Sequence, residues 1–217
     1  RDSMGRKNSP VEIFRTFAKG GADILVGTQM IVKGHDFPNV TLVGVLAADL
    51  SMFSGDYLAG ERTFQLLTQA AGRAGRGEKQ GLALIQTYQP DHYAIVCAAK
   101  QDYEAFYAQE ILYRKLMNYP PAGNMMVAVV EHEDEEAAKA AAEMLAGAMK
   151  GEDVQVLSPA DGFRAKEKDI YRKVIYIKSS TMKGLFRCRN TAQRMVREDG
   201  LLKQMNVQFD INPISLY

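Results

Sequence analysis

Apolar and polar positions along the chain fall into two rhythms. "DILVGT" (23–28), "VTLVGVLAA" (40–48) and "LALIQTY" (82–88) are nearly continuous apolar runs, the pattern of parallel strands covered on both faces. Before them, "SPVEIFRTFAKGG" offers Ser9 as N-cap, Pro10 at the first helical position and Gly20-Gly21 as a stop, with Val11, Phe14 and Phe17 on one face. That combination predicts a short helix. A second helix is predicted in "GERTFQLLTQAAG", where Phe64, Leu67 and Ala71 recur at helical spacing. A third covers residues 91–118 and runs into Pro120-Pro121, which end it and set the expected boundary between a domain at 1–119 and another at 120–217.

Beyond the prolines the order becomes strand "NMMVAVVEH", helix "DEEAAKAAAEMLAGAMKG", strand "VQVLS", a basic loop, strand "RKVIYIKSS", helix "TMKGLFRCRNTAQRMVRED" and strand "NVQFDINP". That is βαββαβ, the ferredoxin-like α+β order. The first half reads as part of a doubly wound α/β sheet, in which ligands sit beyond the carboxyl ends of the strands.

Composition narrows the classes of function. With 47% apolar residues in 217, both halves can bury a core. The formal charge of +1, from 27 Lys and Arg against 26 Asp and Glu, gives no global basic field, so any nucleic-acid binding must come from local clusters. No apolar run approaches the roughly 20 residues of a membrane span, and the first residues carry neither an apolar leader nor an initiator Met. The expectation is a cytoplasmic protein, with no membrane partner, cut from inside a longer chain. Cys97 and Cys188 form neither a disulfide framework nor a ligand set, which suits a reducing compartment. His35, His92 and His132 lack a second ligand at metal spacing, so no metal site is expected. Asp49 and Asp56 are expected to be solvated loop acids, and the methionines to fill the cores.

Two stretches carry candidate chemistry. "QAAGRAGRG" (69–77) sets Arg73 and Arg76 three apart among Gly72, Gly75 and Gly77. Arginine presents a planar fork of donors that matches phosphate oxygens, glycines let a backbone bend sharply, and an i, i+3 pair shares one side of a helical turn. In "GTQMIVKGHDFP" (27–38), Thr28 and Lys33 suit a phosphate, Gly34 allows close approach and Asp36 suits a ribose hydroxyl.

Together these stretches resemble motifs V and VI of superfamily 2 helicases. Gln69, Gly72, Arg73, Gly75 and Arg76 match the Q/H-R-x-G-R-x-G-R pattern of motif VI, with Ala70 where arginine is usual. "DILVGTQMIVKGHDFPNVTLVGVLAAD", "ERTFQLLTQAAGRAGR", "GLALIQTYQPDH", "YPP", "VLSPADGFRAKEKDIYRKVIYIKSS" and "VQFDINP" are similar to the replication-restart helicases of the PriA family, over the whole chain. The resemblance implies a RecA-like second lobe followed by a C-terminal domain. It assigns Arg73 and Arg76 to the γ-phosphate of ATP and Gly34, Asp36, Gln69 and Gly72 to the nucleotide. Thr28, Gln29 and Lys33 would hold a DNA strand.

The same family implies 3′ to 5′ DNA unwinding at stalled or branched forks with primosome assembly, ATP and Mg²⁺ as cofactors, and zinc bound by cysteines outside these residues. It also implies partnership with single-stranded-DNA-binding protein and primosome proteins; a monomer is the separate expectation. No G-x-x-x-x-G-K-[ST] and no DEAH-type motif occurs in the 217 residues, so the chain alone is expected not to hydrolyse ATP. In the second half, the basic run 164–189 with Phe163, Tyr171, Tyr176 and Phe186 interleaved makes Arg164, Arg172 and Lys173 candidate DNA contacts. A DNA-junction or docking module without an ATP role, and another superfamily 2 helicase, are the alternatives.

Overall fold

A computed structural model describes residues 10–28, 37–75 and 80–215, in two units: residues 1–55 with 59–107, and Asp56–Leu58 with Ala108–Tyr217.

In the first unit, helix α1 (Pro10–Ala18) ends as expected at Gly20, which takes φ 76°. Strand β1 (Leu42–Val45) and strand β2 (Leu82–Ile85) pair in parallel, Leu42 opposite Leu82 through Val45 opposite Ile85. Helix α2 (Ala59–Ala71) forms the crossover, and its Phe64 and Leu67 pack with Val45 and Ile85. A 3₁₀ helix, Leu50–Ser54, lies between β1 and α2.

Two expectations are corrected here. Residues 23–28 form no strand, and Ile24 and Val26 are 79% and 86% exposed; no described strand lies beside them to complete a hydrogen-bonded ladder, and apolar residues alone do not make one. Among the described residues the sheet is also covered on one face only, since Leu42, Leu82 and Leu84 stay more than half exposed on the side away from α2.

The helix expected over 91–118 is two helices, α3 (Tyr93–Lys100) and α4 (Tyr103–Leu116). Gln101 adopts the left-handed conformation (φ 54°) that closes α3, and the Asp102 carboxylate accepts the Ala105 amide at 2.9 Å to start α4. His92 caps α3 through Nδ1, which accepts the Ala94 amide at 3.2 Å.

The second unit holds strand β3 (Asn124–His132), helix α5 (Glu135–Met149), strands β4 (Gln155–Val156), β5 (Ala160–Glu167) and β6 (Ile170–Ser179), helix α6 (Met182–Glu198) and strand β7 (Asn206–Ile211). The sheet order is β4-β6-β3-β7, all antiparallel, with both helices over one face. That is the ferredoxin-like arrangement. Met126, Ala128, Val130, Ile175 and Ile177 from the sheet pack against Leu145 and Met149 of α5 and Leu185 and Ala192 of α6.

The basic loop contains an unexpected strand, β5, which pairs with β6 beyond the end of β4 on the same edge. Lys168 and Asp169 join them with φ 51° and 63°, the double positive pair that matches the twist of a two-residue hairpin. Tyr57 also belongs to this unit: its hydroxyl donates to the Pro213 carbonyl at 2.6 Å and its ring stacks on Tyr119 at 5.1 Å.

Candidate nucleotide and nucleic-acid site

The glycine-arginine stretch sits where α2 ends. Beyond Ala71 the backbone tightens: the Gly72 amide donates to Thr68, but the Arg73 and Ala74 amides donate three residues back, to Ala70 and Ala71. Gly75 then turns left-handed (φ 72°) and its amide leaves the turn for the Val40 carbonyl at 3.0 Å. A side chain there would have a second obstacle, because a Cβ on Gly75 would lie 2.8 Å from the Gly81 Cα, and one on Gly81 would run into the Gly75 amide. Glycine is required at both positions because two backbones touch. The helix stops at Ala71 and Arg73 lies on the tightened turn beyond it; the expected shared helical face of Arg73 and Arg76 involves a position outside the described residues.

Gln69 is exposed on α2 and Arg73 is partly exposed on the tightened turn. Among the described residues the Arg73 guanidinium has no ion-pair or hydrogen-bond partner. Arg76, Gln29, Lys33, Gly34 and Asp36 lie outside the described residues. Thr28 is described and exposed. Just past the second stretch, the Phe37 ring packs on Phe17 at 5.1 Å and on Phe14 at 6.3 Å, so α1 anchors the end of that segment.

Asp49 overturns the expectation of a solvated acid. It is fully buried in the loop after β1, and its Oδ2 accepts the Tyr88 amide, just past β2, at 2.8 Å. Burial pushes its pKa up, but hydrogen bonds led by that from the Tyr88 amide outweigh burial and hold the carboxyl below the ordinary value. One carboxylate thus ties together the two loops at the carboxyl ends of the parallel strands. Asp56 accepts the Leu58 amide at 2.9 Å.

In the second unit, two of the three proposed DNA contacts have internal partners. Lys173 is 8% exposed, and its Nζ meets Asp161 at 2.6 Å and Glu135 at 2.9 Å. Hydrogen bonds first to Asp161 and then to Glu135 raise its pKa. The Arg172 Nε donates to Glu131 at 2.7 Å, and Asn206 donates to the other Glu131 oxygen at 2.8 Å. Both cations are thus paired with acids of the same unit, Lys173 largely buried and Arg172 partly exposed. Arg164 belongs to β5, with its side chain outside the described set.

A helicase conserved C-terminal domain model matches residues 3–78, and a primosomal protein N C-terminal domain model matches residues 115–214. The chain is 41% identical over 215 residues to the replication restart protein PriA of Bacillus subtilis, covering 98% of this chain and 27% of that protein. The chain belongs to the PriA family. Against the PriA of Synechocystis it is 40% identical over 181 residues (82% of this chain, 22% of the relative), and against that of Treponema pallidum 36% over 203 residues (92% and 30%). It spans roughly a quarter of the length of these PriA relatives. Among the described residues no helix is long and apolar enough to cross a membrane, and no three His, Cys, Asp or Glu gather as a metal site.

Proposed function

We propose that this chain is the second lobe and C-terminal domain of an ATP-dependent DNA helicase that restarts replication at stalled or branched forks, divided at residues 1–119 and 120–217. The observation that carries the reading is Arg73, left without a partner among the described residues on a turn locked by Gly75 and Gly81 beside exposed Gln69.

Phosphoryl transfer needs positioned cations where charge builds on the γ-phosphate, and a guanidinium held on a rigid turn meets that need at little ordering cost. Arg76 and Arg73 engage the γ-phosphate, while Gln69, Gly72, Gly34 and Asp36 contact the nucleotide. Mg²⁺ and the remaining phosphate ligands come from a first lobe, which is why the 217 residues alone do not turn over ATP. Closure on ATP then shifts the grip of Thr28, Gln29 and Lys33 on one DNA strand, which gives 3′ to 5′ stepping on repetition. The protein works as a cytoplasmic monomer with single-stranded-DNA-binding protein and primosome proteins.

The test is DNA-stimulated ATP hydrolysis by the full-length protein carrying Arg76→Ala or Arg73→Ala, with fork affinity measured at one fixed salt concentration. A fall of about 10³-fold for Arg76→Ala with binding retained is expected. Unchanged hydrolysis in both variants refutes the reading.

A further inference from the structure

Helix α6 carries Lys183, Arg187, Arg189, Arg194 and Arg197 against a single acid, Glu198, so its formal charge is 5 − 1 = +4 in a chain whose total is +1. At 3.6 residues per turn, Lys183, Arg187, Asn190, Arg194 and Arg197 fall within an arc of about 80° and follow one another over about 21 Å. All five are exposed, opposite the face on which Gly184, Leu185, Cys188 and Ala192 are buried. Lys183, Phe186, Arg187, Asn190, Thr191 and Arg194 line a shallow open groove along this stripe.

The fold explains only part of the stripe. Arg197 lies in the last turn of α6, where the helix dipole favours a cation, but Lys183 occupies the first turn, where the dipole disfavours one, and no acid stands there to offset it. Arg187 pairs with Asp153, but Lys183, Arg194 and Arg197 have no ion-pair partner among the described residues. Alongside, Phe186 is 39% exposed, with the Arg189 guanidinium 5.0 Å above its ring.

We propose that this face of α6 binds a single nucleic-acid strand, its phosphates along the Lys183–Arg187–Arg194–Arg197 row and an unpaired base on the Phe186–Arg189 stack. A linear row of cations complements the charge of a strand. A half-exposed ring with an arginine on it stacks only with a base free of a duplex, which favours a single strand. The inference rests on the nucleic-acid reading of the chain and not on the arginines of the first unit.

The experiment measures binding of a labelled single-stranded DNA oligonucleotide to the whole chain by fluorescence anisotropy over a salt series. The triple variant Lys183→Gln, Arg194→Gln, Arg197→Gln should flatten the slope of log K against log salt by about 2, at ~0.7 per phosphate released. Substituting exposed Lys139, Lys150 and Lys203 by Gln should leave the slope alone. Phe186→Leu should weaken binding by about 5- to 100-fold with the slope unchanged. Equal slopes for the parent and the α6 variant overturn the proposal, as does a parent chain that does not bind the oligonucleotide. A stripe variant that loses a polyglutamate peptide yet keeps the oligonucleotide marks a protein-docking face and overturns it as well. If Arg76→Ala leaves ATP hydrolysis intact while the stripe variant behaves as expected, only the reading of the first unit fails.

Discussion

Replacing Gly75 by alanine tests the claim that the arginine-bearing turn is locked by contact between two backbones. Its φ of 72° lies in the region that costs an ordinary residue about 1–2 kcal/mol. The new Cβ also stands 2.8 Å from the Gly81 Cα, and relief requires the turn to swing off Val40, giving up the 3.0 Å hydrogen bond for about another 1 kcal/mol. The sum is about 2–4 kcal/mol once residual overlap is included, all of it in the first unit. Amide hydrogen exchange reads this locally through Leu82, which donates to Thr41 at 2.8 Å, and Gln86, which donates to Val45 at 2.9 Å. Where exchange follows opening of the β1–β2 pair, those amides should exchange about 30- to 1,000-fold faster, with β3–β6 amides as the internal reference. A Cβ added to Gly44, inside β1, would meet nothing within 4 Å, so Gly44→Ala should leave exchange unchanged or slow it. Exchange in Gly75→Ala within about threefold of the parent would refute the reasoning.

Other substitutions probe the remaining contacts. Because the folded-state pKa of Asp49 is depressed, its contribution is present above the ordinary value of 3.8 and lost as pH falls through the folded value; Asp49→Asn should remove that acid-side step from a pH series of β1–β2 exchange. Tyr57→Phe, which strips the 2.6 Å hydrogen bond from the Pro213 carbonyl, should cost the second unit about 1–2 kcal/mol in urea unfolding. Leu145→Ala, at a fully buried position between α5 and the sheet, should cost about 2–5 kcal/mol in the same assay.

Local spacing by itself determined most elements and the place of the candidate chemistry. The apolar face of α2, the Pro10 start and Gly20 stop of α1 and the βαββαβ order all rest on side-chain periodicity and caps within a few residues of one another. Asp102 was a legible start signal for α4, but it stood inside a longer helical pattern that hid the break after Gln101. The basic stripe of α6 was legible too: its i, i+4, i+7, i+11, i+14 spacing runs past residue 189, where the basic cluster in the sequence ends for want of adjacent charges.

Tertiary structure alone decided which charges remain available. Lys173 meets Glu135, 38 residues away, and Asp161, 12 away, and Arg172 meets Glu131 across 41 residues. Asp49 looked solvated until the Tyr88 amide, 39 residues on, supplied its partner. Gly75 required glycine because Gly81 arrives against its backbone. Periodicity reports which face a residue shares with its neighbours in sequence. Whether a charge on that face meets water or a counter-charge depends on strand pairing between distant segments, and no local pattern encodes that distance.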